Sequence, residues 1–180
     1  MSDLERYEPG PADAQVKKDG EKWTLVLVRE LHHSPEKIWE ALTDPVHLRE
    51  WAPFDADDNL GTAGNTVKLT WANAPAPPFE AKVTRADAPR LLEYVSGDTA
   101  FRWELEPLAG GARLTLSTNI DRRFISMGAA GWHVALDVLD RLLGGNPISR
   151  IAGGEAMKFA GWQRLNGEYA KLFGIEAPAW

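Results

Sequence analysis

The residues of this 180-residue chain with the types and spacing for chemistry lie in GWHVALDVLDRLLGG, which starts at Gly131. His133 and Asp137 stand four positions apart, one helical turn, where a carboxylate can orient an imidazole for general acid/base work. Such a pair needs a nucleophile or reacting group to act on, and nothing near it in sequence offers one. With Trp132 set at zero and about 100° per residue, His133 falls near about 100°, Asp137 near about 140° and Arg141 near about 180°. Asp140 falls near about 80°, so the polar residues share one arc, and Ala135, Leu136, Val138, Leu139, Leu142 and Leu143 take the rest. This pattern predicts a packing helix with a wide buried face and a narrow wet one. His133 and Asp137 are expected on the wet side as an i,i+4 pair, and no residue is assigned a catalytic role.

Other chemistries find less support. The chain has no cysteine, which excludes disulfides, thiolate nucleophiles and cysteine metal sites. His32 and His33 are adjacent and project to opposite sides of an extended chain, His47 reads as a surface residue, and no HExxH-type spacing occurs. No metal and no cofactor is therefore expected. GTAGN and GGNP fit neither GxGxxG nor GxxxxGKS, so they read as turns and a helix end. The formal charge of -6, without any lysine or arginine run, gives a nucleic acid no electrostatic footprint.

The aromatic residues carry a stronger signal, with eight tryptophans in the chain. Trp51 closes a short helix, Trp71 ends a strand, Phe101 and Trp103 share a strand face, and Trp132 leads the buried face of the helix. Large rings suit the walls of a cavity for a small hydrophobic or aromatic molecule as well as a solid core. These five residues, with Asn119 as a polar group to orient the ligand, form the candidate cavity lining. Arg102 and Ser117 are further polar candidates, although Arg102 alternates with Phe101 and Trp103 and fits the solvent side equally well.

The elements that must position these residues follow from local pattern. Residues 1–13, with Pro9, Gly10 and Pro11 among charges, read as a flexible arm, and residues 14–180 as a single domain. Asp19-Gly20 turns a hairpin into a strand running from Trp23 to Leu31. Ser34-Pro35 and Asp44-Pro45 each open a short helix, one carrying Ile38, Trp39 and Leu42, the other Val46, Leu48 and Trp51. From Leu60 to Ile120 strands alternate with short turns, which implies an antiparallel meander. The last third is helical, interrupted by NPISRIAGG, with a final helical stretch from Glu155 to Phe173. This order predicts an α+β domain in which a curved sheet wraps a long carboxy-terminal helix. No stretch reads as a secretory signal or reaches the ~20 apolar residues of a membrane span, so a cytoplasmic protein is expected.

Several stretches together resemble a known family: KDGEKWTLVLVRELHHSPEKIWEALTDPVHLREW, RWELEPLAGGARLTLS, AAGWHVALDVLDRLLGG and GWQRLNGEYAKLFG. They are similar to the bacterial proteins of the activator of heat-shock-protein-90 ATPase homologue family, within the START-like helix-grip (SRPBCC) superfamily. The resemblance covers about residues 16 to 174. It implies a helix-grip fold with an interior cavity suited to hydrophobic molecules, and hence a non-enzymatic binding module. It also leaves two alternatives: a cavity-based enzyme of cyclase or hydrolase type, and a chaperone-associated protein-binding module. A homodimer through a sheet edge or the helical insertion is compatible with such a domain. Relatives usually continue the final helix where this chain carries NPISRIAGGEAMKFA, so that insertion is expected to form a mobile lid.

Overall fold

The computed structural model describes residues 3–178. Its centre is an eight-stranded antiparallel sheet in the order β1-β2-β8-β7-β6-β5-β4-β3, curled into a half-barrel around a helix. A four-residue helix, α1 (Asp3–Arg6), precedes the hairpin of β1 (Gln15–Asp19) and β2 (Lys22–Leu31). Then α2 (Pro35–Thr43) and α3 (Pro45–Trp51) form the expected pair of short helices. Both starts are set locally: Ser34 Oγ accepts from the Lys37 amide at 3.2 Å, and Asp44 Oδ1 accepts from the Val46 amide at 2.8 Å. Each is followed by a proline in the first turn, where no amide donor is required.

The remaining strands are β3 (Phe54–Ala56), β4 (Thr66–Trp71), β5 (Phe79–Asp87), β6 (Leu91–Ser96), β7 (Thr99–Leu108) and β8 (Gly111–Asn119). Alternation sorts their two faces. Phe101, Trp103 and Leu105 of β7 and Ala112, Leu114, Leu116 and Thr118 of β8 face inward and are buried. The outer face carries an ion-pair ladder in which Arg102 bridges Glu93 and Glu104, both at 2.6 Å, and Arg113 bridges Glu30 and Glu106. Arg102 therefore faces solvent, as does its cross-strand neighbour Ser117 on the same face.

The helix in the grip of the sheet is α4 (Ile125–Leu143), and α6 (Ala160–Phe173) packs along it, with α5 (Gly153–Met157) between. The final helical stretch expected from Glu155 to Phe173 breaks at Lys158 and Phe159, which separate α5 from α6. The buried core runs from the inner sheet face through α4 to Leu165, Tyr169 and Phe173 of α6.

Candidate functional site

Phe124, at the cap of α4, and Met127, Gly128, Gly131 and Trp132 within the helix face an open groove of about 490 Å³. The spacing of 3 and 4 residues keeps them on one helix face. Pro53, Trp71 and Ile120 form the floor, while Ile151, Ala152, Ala156, Met157 and Trp162 form the roof. Among the described residues no ionisable side chain lines the groove, which is mostly hydrocarbon, indole and thioether. Gly131 hollows it out, since a Cβ there would meet only Trp162 Nε1, at 4.0 Å, while Gly128 makes room for the tip of Ile120, 2.5 Å from where its Cβ would stand. Phe124 stands half-exposed at the mouth, with the Arg123 guanidinium 5.4 Å from its ring.

The roof is the insertion expected as a mobile lid, and it is pinned at several points. Ile148, Ile151 and Ala152 are buried, and Arg150 Nη1 donates to Asp55 Oδ1 at 2.6 Å. The Gly154 amide donates to the Asn73 carbonyl at 2.8 Å, and Asn73 Nδ2 donates to the Ala152 carbonyl at 3.4 Å. Gly153 sits at φ +59, and a Cβ there would lie 2.3 Å from the Ala72 carbonyl oxygen, so only glycine lets the strap approach β4 this closely.

Two smaller compartments share Trp71 with the groove. One, about 250 Å³, is lined by Phe101, Thr118, Asn119 and Trp132 among others; the other, about 300 Å³, lies beyond it toward Pro77 and Phe79. Of the residues expected to line a cavity, Trp71, Phe101, Asn119 and Trp132 thus stand at these openings. Trp51 and Trp103 instead lie within the packed interior, their rings 6.1 Å apart and edge to face. Trp51 Nε1 donates to the Ala41 carbonyl at 2.9 Å and Trp103 Nε1 to Tyr94 Oη at 3.0 Å. Phe54, which the sequence reading passed over, fills the centre, 5.7 Å from Trp71, 6.2 Å from Phe101 and 6.0 Å from Trp132. Rings fill the space between sheet and α4, and the open volume lies to one side of it. The amide of Asn119 is engaged at both ends, accepting from the Ala100 amide and donating to the Asp98 carbonyl, each at 2.7 Å. It holds the β6–β7 turn rather than presenting a free polar group.

His133 and Asp137 are not on a wet face. His133 is 4% exposed, because α6 and residues 7–13 cover the polar arc of α4. His133 Nδ1 lies 2.7 Å from Tyr169 Oη and 3.4 Å from Arg29 Nη2. Arg29 has only donors to offer, so Nδ1 is the acceptor and Nε2 carries the proton, facing Asp137 Oδ2 at 3.7 Å. Tyr7 Oη donates to that same carboxylate oxygen at 2.5 Å. Burial, then the guanidiniums of Arg29 and Arg164, hold the His133 pKa down at about 4, so the ring is neutral near pH 7. Burial raises the Asp137 carboxyl, partly offset by the Tyr7 hydrogen bond. Around the helix, counted from Gly131 at about 100° per residue, His133 lies about 160° and Asp137 about 120° away. The pair resembles a catalytic relay in type, yet what it touches is chain: the Asp13 amide and carbonyl both meet Tyr169 Oη, at 3.1 and 3.4 Å. Residues 7–13, read from sequence as an arm, lie along α4 and α6, with Tyr7 5% exposed.

On the outer surface of α2 and α3, His47 Nδ1 lies 3.9 Å from Glu40 and 3.8 Å from Asp44. Both separations exceed hydrogen-bond length. Among the described residues no helix is long and apolar enough to cross a membrane.

Comparison with known proteins agrees with this architecture. The model of the family described as polyketide cyclase/dehydrase and lipid transport matches residues 22–146. Among solved structures, a conserved protein of unknown function, EF2215 from Enterococcus faecalis, superposes with a TM-score of 0.68 at 18% identity, covering 91% of this chain and 92% of that one. CalU16 from Micromonospora echinospora gives 0.64 at 19% identity over 89% and 96% of the two chains. The Aha1 dimer from Colwellia psychrerythraea gives 0.58 at 21% identity over 68% and 97%. No curated protein matches the sequence. The structural likenesses establish the helix-grip fold expected from the sequence motifs.

Proposed function

Since this chain belongs to the polyketide cyclase/dehydrase and lipid transport family, we propose that it binds a small apolar or aromatic molecule in the groove between α4 and the residue 148–157 strap, without transforming it. The observation that carries this reading is the groove itself: about 490 Å³, walled by indoles, methionines and aliphatic side chains, with Gly131 clearing space on α4. That volume is in the range of small-molecule sites, and Met127 and Met157 are adaptable contacts for ligands of varied outline. A binding role is favoured over catalysis because the titratable cluster of His133 and Asp137 lies on the far side of α4, filled against Tyr7, Arg29 and Tyr169.

The roof comes from residues beyond the segment matched by the family model, so the shape of this site is set by the insertion. Naphthalene is a suitable probe, and Trp71, Trp132 and Trp162 in the walls supply the signal. Titration should change tryptophan emission saturably, and Gly131→Leu, which places a branched side chain in the groove, should abolish the response while leaving the circular dichroism spectrum unchanged. An undiminished response in Gly131→Leu would place binding elsewhere and refute the assignment.

A further inference from the structure

The inward row of β8 reads Ala112, Leu114, Leu116, Thr118: three hydrocarbon side chains and then a hydroxyl. Thr118 is 2% exposed, and among the described residues its Oγ1 has no hydrogen-bond partner. An unpaired hydroxyl in an apolar wall is costly, and valine would fill the same shape without that cost. The hydroxyl is therefore unexplained by packing.

Its position suggests a use. Thr118 lines the 250 Å³ compartment beside Trp71, Phe101 and Trp132, the two indoles being shared with the groove. Two of the other polar side chains there are already engaged, and Thr99 is part-exposed whereas Thr118 is buried. Asn119 holds the Ala100 amide and the Asp98 carbonyl, and Asp121 accepts from the Arg123 backbone and guanidinium. A change of χ1 to another staggered rotamer re-aims Oγ1 without movement of the strand. A hydroxyl both donates and accepts, and among the described residues the compartment is lined by the Asp121 carboxylate and by no lysine or arginine, so the complementary group is a neutral oxygen.

We propose that Thr118 is the polar anchor of the binding site, giving one hydrogen bond to the oxygen of a flat ring compound, a phenol or ring ketone, whose hydrocarbon part lies against Trp71 and Trp132. This rests on the reading of the groove as a ligand site. The ligand oxygen satisfies the orphaned hydroxyl, and the surrounding rings exclude water from the bond, which strengthens discrimination between an oxygenated ring and a bare one.

Equilibrium dialysis with naphthalene and 2-naphthol tests this, using wild type, Thr118→Val and Thr118→Ser. Thr118→Val should weaken 2-naphthol about 5- to 10-fold and leave naphthalene within about twofold. Thr118→Ser, which keeps the hydroxyl, should retain most of the 2-naphthol affinity. Equal weakening of both compounds by Thr118→Val, or no weakening of either, would overturn the anchor while leaving the groove reading intact. Failure of wild type to bind either compound would overturn both.

Discussion

Protonation of His133 should be visible as a loss of stability on mild acidification. In the unfolded chain its imidazole has the ordinary value of 6.5, while in the folded protein burial and the guanidiniums of Arg29 and Arg164 hold it at about 4. The facing groups are Tyr169 and Arg29 at Nδ1 and Asp137 at Nε2, with Asp13 and Glu168 contributing weaker opposing fields. Above pH 6.5 neither state binds the proton and the residue is neutral in its effect. Between pH 6.5 and about 4 only the unfolded chain is protonated, so stability falls as pH falls. At ~1.4 kcal/mol per pH unit this amounts to about 3 kcal/mol by pH 4. Asp137 titrates in the opposite sense, since its raised carboxyl adds stability on acidification, and a variant comparison removes its contribution. Urea unfolding of wild type and His133→Gln from pH 8 to pH 4 is the assay. The advantage of wild type over the variant should shrink by about 3 kcal/mol across the range. A gap that stays constant to within a few tenths would show that His133 is not buried as a neutral ring beneath α6 and residues 7–13.

Three further outcomes follow from named contacts. Gly131→Ala should raise stability by about 0.5–1 kcal/mol in thermal unfolding, since a helix-interior glycine is replaced where the added methyl meets nothing closer than 4.0 Å. Gly153→Ala should cost about 1–3 kcal/mol and increase hydrogen exchange through residues 148–157, because its φ of +59 and the Ala72 carbonyl leave no room for Cβ; unchanged exchange would deny that this glycine pins the strap. Tyr7→Phe should destabilise by about 1–3 kcal/mol in urea unfolding by leaving the half-buried Asp137 carboxylate short of its donor, and a neutral result would mean residues 7–13 do not hold α4.

Local signals in the sequence were readable where their physics is local. Ser34-Pro35 and Asp44-Pro45 place both helix starts because a cap needs only a side-chain oxygen and an amide two or three residues on. The alternation of Phe101, Trp103 and Leu105 gives the inner sheet face because the pleat has period two. His133 and Asp137 were misplaced for an equally physical reason. A helical wheel shows which arc is polar, but what covers that arc is Tyr7 and Asp13 from one end of the chain and Tyr169 from the other. Asn119 showed hydrogen-bonding capacity in sequence, whereas the partners that take it up lie across the β6–β7 turn. The groove was less legible still, since it exists only because the insertion folds back onto Ala72 and Asn73. Gly128 and Gly131, spaced on the same helix face as Trp132, were the available clue to it.

The central claim is that an apolar ligand sits between α4 and the 148–157 strap. Its most direct test is a crystal structure of the protein soaked with naphthalene. A ring bounded by Trp71, Trp132, Met157 and Trp162, with Gly131 beneath it, is expected. A ring bound elsewhere on the molecule, with the groove left empty, would contradict it.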